Sequence, residues 1–75
     1  MKPYRNLSGR SGVRAYQPGP GAIAVEFVDG SVYLYTQASA GAAAIARMLE
    51  LAQAGRGLST YISRHVQDRY AEQLR

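Results

Sequence analysis

Apolar residues alternate with small or polar ones from Ala22 to Val28, placing Ile23, Val25 and Phe27 on one face and Ala24 and Glu26 on the other. That period of two predicts a half-buried strand. Ser31 to Thr36 is rich in β-formers, and the intervening Asp29-Gly30 signals a hairpin, since glycine accepts the positive φ such turns need. Val13 to Tyr16 is a further short strand, ended by Gln17-Pro18-Gly19-Pro20-Gly21, which reads as a turn because its prolines cannot continue a ladder. From Ser39 the period becomes helical. Ile45, Met48, Leu49 and Ala52 recur at i, i+3, i+4 and i+7, with Ala42 and Leu51 widening the stripe. Ser39 can cap this helix at its start and Gly55 can end it in a left-handed conformation. A second helix opens near Ser59, with Leu58, Ile62 and Val66 on one line and Tyr61 and His65 beside it. The predicted architecture is α+β, a three-stranded antiparallel β-meander followed by two helices (βββαα) packed on one sheet face.

The faces of the hairpin depend on its loop. If Asp29-Gly30 is a two-residue turn, Val25 pairs with Leu34, and Tyr33 and Tyr35 lie on the outer face. Pairing of the first strand across a loop of residues 17–21 would add Arg14 and Tyr16 to that face. The result would be a stacking surface of the kind that binds single-stranded nucleic acid. If the loop is Val28-Asp29-Gly30, with a bulge at Gly30, Val25 pairs with Tyr33 and the tyrosines turn toward the helices. Alternate aromatics in a small sheet more often fill a core than carry a ligand, which favours the longer loop, but the sequence does not decide between the two.

With 75 residues, the chain has room for one core, and a domain this small gains from a partner subunit. A homo-oligomer is therefore expected. The absence of cysteine removes disulfides, thiolate metal sites and cysteine nucleophiles, and fits a reducing compartment. No stretch approaches the roughly 18 apolar residues a membrane span requires, and no apolar run follows the basic start, so the expectation is a cytoplasmic protein with no membrane association. The net charge of +4 is one-sided: residues 1–25 hold Lys2, Arg5, Arg10 and Arg14 with no acid, whereas five arginines face five acids in residues 26–75. Arg47 with Glu50, Arg64 with Asp68 and Glu72 with Arg75 have the spacing of helical ion pairs. Residues 1–12 show no period and predict a flexible basic arm ahead of a domain over residues 13–75.

Ordered along the chain, Val25-Glu26-Phe27, the glycine turn, Tyr33-Leu34-Tyr35 and Gly55-Arg56-Gly57-Leu58-Ser59-Thr60-Tyr61-Ile62 resemble the KTSC domain over Ser11 to Ala71. That family is named for its occurrence at the carboxyl terminus of some lysyl-tRNA synthetases and is otherwise a small stand-alone bacterial or phage protein. The resemblance implies the fold more firmly than the function, with RNA as the partner its synthetase association suggests. Two departures stand out: Leu34 occupies a position that is often polar in the family, and Ala38-Ser39-Ala40-Gly41 replaces a proline at the first helix. Leu34 could mean that both sheet faces are covered, for instance by a second subunit.

Catalytic equipment is sparse. Ser63 and His65 lie two apart on a helix and diverge, so they form no local triad, and His65 beside Ile62 and Val66 reads as a packed structural residue. No metal-ligand cluster stands out, and Gly19 and Gly21 follow prolines with no lysine after them, unlike a phosphate loop. No enzyme activity, cofactor or metal is expected. Lys2, Arg5, Arg10, Arg14 and Arg56 are candidates for phosphate contacts, with Tyr16, Tyr33 and Tyr35 for stacking on bases; a solvated tail and a tyrosine core are the plain alternatives. RNA is the expected partner. The rival is a homo-oligomer binding a small nucleotide-like ligand or a protein, suggested by the apolar arc of Ala42, Ala44, Met48 and Leu51.

Overall fold

A computed structural model describes residues 1–7, 9 and 11–75. Five strands form one antiparallel sheet in the order of the chain: β1 (Lys2–Pro3), β2 (Val13–Gly19), β3 (Ala22–Phe27), β4 (Val32–Thr36) and β5 (Glu72–Gln73). Between β4 and β5 come α1 (Gln37–Ala40), α2 (Ala42–Ala54) and α3 (Leu58–Tyr61), the last continuing as a π-helical turn through Ile62–Val66. The α+β class is as expected, but the three-stranded meander gains two short edge strands. Each has two residues, too few for any alternation to register.

The β3–β4 connection is the three-residue loop. The Phe27 N–H donates to the Ser31 carbonyl (2.8 Å) and the Gly30 N–H to the Phe27 carbonyl (2.9 Å), with Gly30 at φ 92°. Val25 therefore pairs with Tyr33 and Ile23 with Tyr35, so the tyrosines turn toward the helices.

The first strand differs from expectation. It runs on through Pro18 to Gly19, and Tyr16 pairs with Val25 rather than facing Ala22. Pro18 is tolerated because β1 pairs only with Ala15 and Tyr16, leaving β2 an edge beyond them, where a missing N–H breaks no ladder. A bulge at Arg14 shifts the register between Val13 and Ala15. It puts Val13 and Tyr16 on the core face despite their odd spacing and turns Arg14 outward.

Residues 1–7 are built into the fold and not into a free arm. Tyr4 is only 6% exposed, and its hydroxyl accepts a hydrogen bond from the Leu58 N–H (3.3 Å). The Leu7 N–H donates to the Gly55 carbonyl (2.7 Å). These contacts close the C-terminal end of α2, where Gly55 adopts the left-handed cap expected of it (φ 79°, ψ 22°).

Of the helical stripe, Ile45, Met48 and Ala52 are buried against the sheet, Leu49 and Leu51 are half-buried and Ala42 is exposed, with Leu58, Ile62 and Val66 completing the core from α3 and its π turn. The start of the first helix is not as expected. Thr36, not Ser39, is the N-cap; the two side chains bond each other's backbone N–H in a capping box that starts α1 (3.1 and 3.0 Å). Gly41, at φ 97°, then separates α1 from α2. At the far end helical structure stops at Val66, so the expected pairing of Glu72 with Arg75 along a helix is replaced by a pair from Arg75 to Glu26 across the sheet (2.6 Å). No helix among the described residues is long and apolar enough to cross a membrane.

Candidate functional site

Because the hairpin takes the longer loop, Phe27 and Tyr33 stand beside each other at the end of the core face. Their rings meet edge to face, with centroids 5.7 Å apart. Tyr70 packs behind Tyr33 at 4.6 Å and reaches Tyr35 at 6.3 Å, so the wall is held from the carboxyl-terminal segment. In front of the pair lies an open pocket of about 380 Å³, lined by Gly12, Phe27, Val28, Asp29, Ser31 and Tyr33. The lining is mainly carbon, and Phe27 and Tyr33 are only half-buried, so ring surface remains for a ligand.

Backbone and charge fix the loop that forms this wall. The Val28 N–H donates to the Gly12 carbonyl (2.8 Å), joining the loop to the start of β2. From the other sheet face the Arg14 guanidinium donates to the Val28 carbonyl (2.5 Å) and that of Arg75 to the Gly30 carbonyl (3.2 Å). Both arginines also meet Glu26, Arg75 at 2.6 Å and Arg14 at 3.9 Å, while their side chains remain more than half exposed. The bulge at Arg14 makes this clamp possible by turning the residue out of the ladder. Asp29 closes the loop: its Oδ1 accepts from the Ser31 hydroxyl (2.6 Å) and N–H (2.9 Å). Those bonds, the hydroxyl first, hold its carboxyl below the usual range and ionised, with Arg14 adding to the effect.

The expected site residues are dispersed. Tyr16 (7% exposed) and Tyr35 (2%) are core side chains, and a ring so enclosed cannot stack on a base while the core is intact. Tyr33 alone of the three reaches the pocket. Arg14 stands at the loop. Arg5 lies at the end of α2, donating to the Gln53 carbonyl (2.6 Å), a cation placed where the helix dipole is negative. Lys2, on the edge strand, and Arg56, between left-handed Gly55 and Gly57, are exposed and form no ion pair among the described residues. Arg10 lies outside the described residues. His65 is not packed into the core; it is exposed, with its ring against Tyr61 at 4.6 Å. No group of three His, Asp or Glu side chains among the described residues could hold a metal ion.

Phe27, Tyr70 and Asp29 were not singled out as site residues. Phe27 is adjacent to Tyr33 only in the longer-loop register, which makes that register the available sequence signal for the pocket. Comparisons of the chain with protein-family models, with curated proteins and with solved structures gave no match. Fold and site together define a small α+β domain with an aromatic surface pocket beside a hairpin clamped by two arginines.

Proposed function

We propose that this chain is a non-catalytic module that binds single-stranded nucleic acid, RNA in preference to DNA. The observation that carries the reading is the Phe27–Tyr33 pocket, whose loop Arg14 and Arg75 hold from the other sheet face. A flat base gains from an aromatic wall whichever base it is, and an immobilised guanidinium retains donors for the flanking phosphate. Lys2 and Arg56 extend the positive field and Arg14 acts at the site, whereas Tyr16 and Tyr35 support the sheet that carries Tyr33. The preference for RNA rests on the KTSC-like pattern of Tyr33-Leu34-Tyr35 and the Gly55–Ile62 segment. An electrophoretic titration with poly(U), tRNA and duplex DNA over a salt series tests this reading. With about four phosphate contacts, log affinity for a single strand falls against log salt with a slope of about −3. Absence of binding at low salt would refute the proposal.

A second reading, a homo-oligomer that binds a small nucleotide-like ligand, is favoured by the sheet face opposite the helices. Strand alternation places the half-exposed Leu34 there, above Ala15, Ala24 and Val32, which are already buried within the single chain. The arc on α2 favours it less, since Met48 is fully buried within the core. Light scattering separates the two: a strict monomer removes this reading.

A further inference from the structure

The pocket has a polar edge, and that edge offers acceptors. The N–H groups of Val28, Gly30 and Ser31 are spent within the hairpin and on Gly12. The Ser31 hydroxyl proton is directed at Asp29 Oδ1. Among the described residues Asp29 Oδ2 accepts from no other residue, and with the lone pairs on Ser31 Oγ it gives this edge acceptors. A ligand that lies against Phe27 and Tyr33 therefore meets acceptors at this edge.

We infer that the pocket selects guanine, with Asp29 Oδ2 and the Ser31 Oγ lone pairs accepting from the N1–H and N2–H groups of the base. The inference rests on the single-strand reading above and names the base that the same site prefers. Among the four bases, guanine alone places two donors side by side on its Watson–Crick edge. Adenine and cytosine set one amino group beside a ring acceptor, and uracil flanks its single N–H with two carbonyl oxygens that a carboxylate repels. About 380 Å³ lies within the range of small-ligand pockets, so a planar purine has room. An aromatic wall with a carboxylate could also attract an amine. The net charge of +4 on the chain opposes a cationic ligand and favours a neutral donor edge next to a phosphate.

The test compares a short oligouridine with the same strand carrying one central guanosine, alongside GMP, AMP and N-acetyl-lysine methylamide, by NMR titration of the isotope-labelled chain. The guanosine strand should bind about tenfold tighter than oligouridine, the discrimination expected of one good two-donor pair. GMP should outbind AMP at the same amide resonances, more weakly than the strand. Asp29→Asn keeps a residue that suits the turn and should lose the guanosine preference while still binding oligouridine. Equal binding of both strands overturns the selectivity and leaves the single-strand reading standing, whereas absence of binding by either strand at low salt removes both. A preference that survives in Asp29→Asn refutes the role of the carboxylate. Binding of the lysine derivative in place of GMP, or of GMP with both strands rejected, also overturns the inference.

Discussion

Raising the pH from 9 toward 12 should destabilise this domain through Tyr35, and the reason lies in the hairpin register. The Tyr35 ring is 2% exposed, and its hydroxyl lies 3.5 Å from the Gln67 carbonyl, at the limit of a hydrogen bond. Burial first, then the phenols of Tyr33 and Tyr70 and the carboxylate of Asp68, raise its pKa from 10.0 to about 12. Below pH 10 the phenol is protonated in both folded and unfolded chains, and its burial contributes fully. Between pH 10 and 12 the unfolded chain loses the proton while the folded chain keeps it, so stability falls as pH rises and the contribution is gone above 12. A pKa unit corresponds to about 1.4 kcal/mol, which sets a ceiling near 2.7 kcal/mol for a shift of about two units. The hydroxyl sits at the core edge, where water screens part of the penalty, so a loss of about 1–2 kcal/mol is expected. With a urea slope of about 1 kcal/mol/M for a chain of this size, the midpoint should drop by about 1–2 M. Difference titration of tyrosinate absorbance between the wild type and Tyr35→Phe isolates the phenol, and parallel urea unfolding reads its stability. A Tyr35 midpoint near 10, with the two proteins equally sensitive to pH, would refute the inward register and restore the two-residue turn.

Three further outcomes follow from the same structure. Tyr4→Phe leaves the buried Leu58 N–H without its acceptor and should cost about 1–3 kcal/mol by denaturant unfolding; no loss would mean that residues 1–7 are not docked. Gly55→Ala places a methyl 2.8 Å from the Arg5 Cβ at φ 79°. The left-handed conformation alone costs about 1–2 kcal/mol for an L-residue, so the measured loss should reach at least that. Tyr33→Leu retains apolar bulk beside Phe27 but removes a stacking ring, and should weaken RNA binding by about 1–3 kcal/mol in a fluorescence anisotropy titration while circular dichroism stays unchanged.

The elements with long periods were legible before the structure. Residues 42–54 showed a helical stripe long enough to name Ile45, Met48 and Ala52 as core, and Gly55 as its cap, because these features repeat or act locally. Both hairpin registers were also visible, since each follows from counting loop residues, but the choice depended on how Phe27 and Tyr33 pack. The edge strands could not be read, because Lys2-Pro3 and Glu72-Gln73 take their conformation from partners distant in sequence. Nor could the bulge at Arg14, which has no glycine to mark it and is held by Val28 and Glu26. The pocket inherits these difficulties: its residues come from the start of β2 and from the hairpin, and Tyr70 supports it after a π turn that ends in Gln67 at φ 42°.

The most direct test of the nucleic-acid reading is a map of amide chemical shifts on adding a short single-stranded RNA to the isotope-labelled chain at low salt. The largest changes are predicted at Gly12, at residues 27–31 and at Tyr33, diminishing as salt is added. Changes confined to the surface around Lys2 and Arg56, or no changes at all, would contradict it.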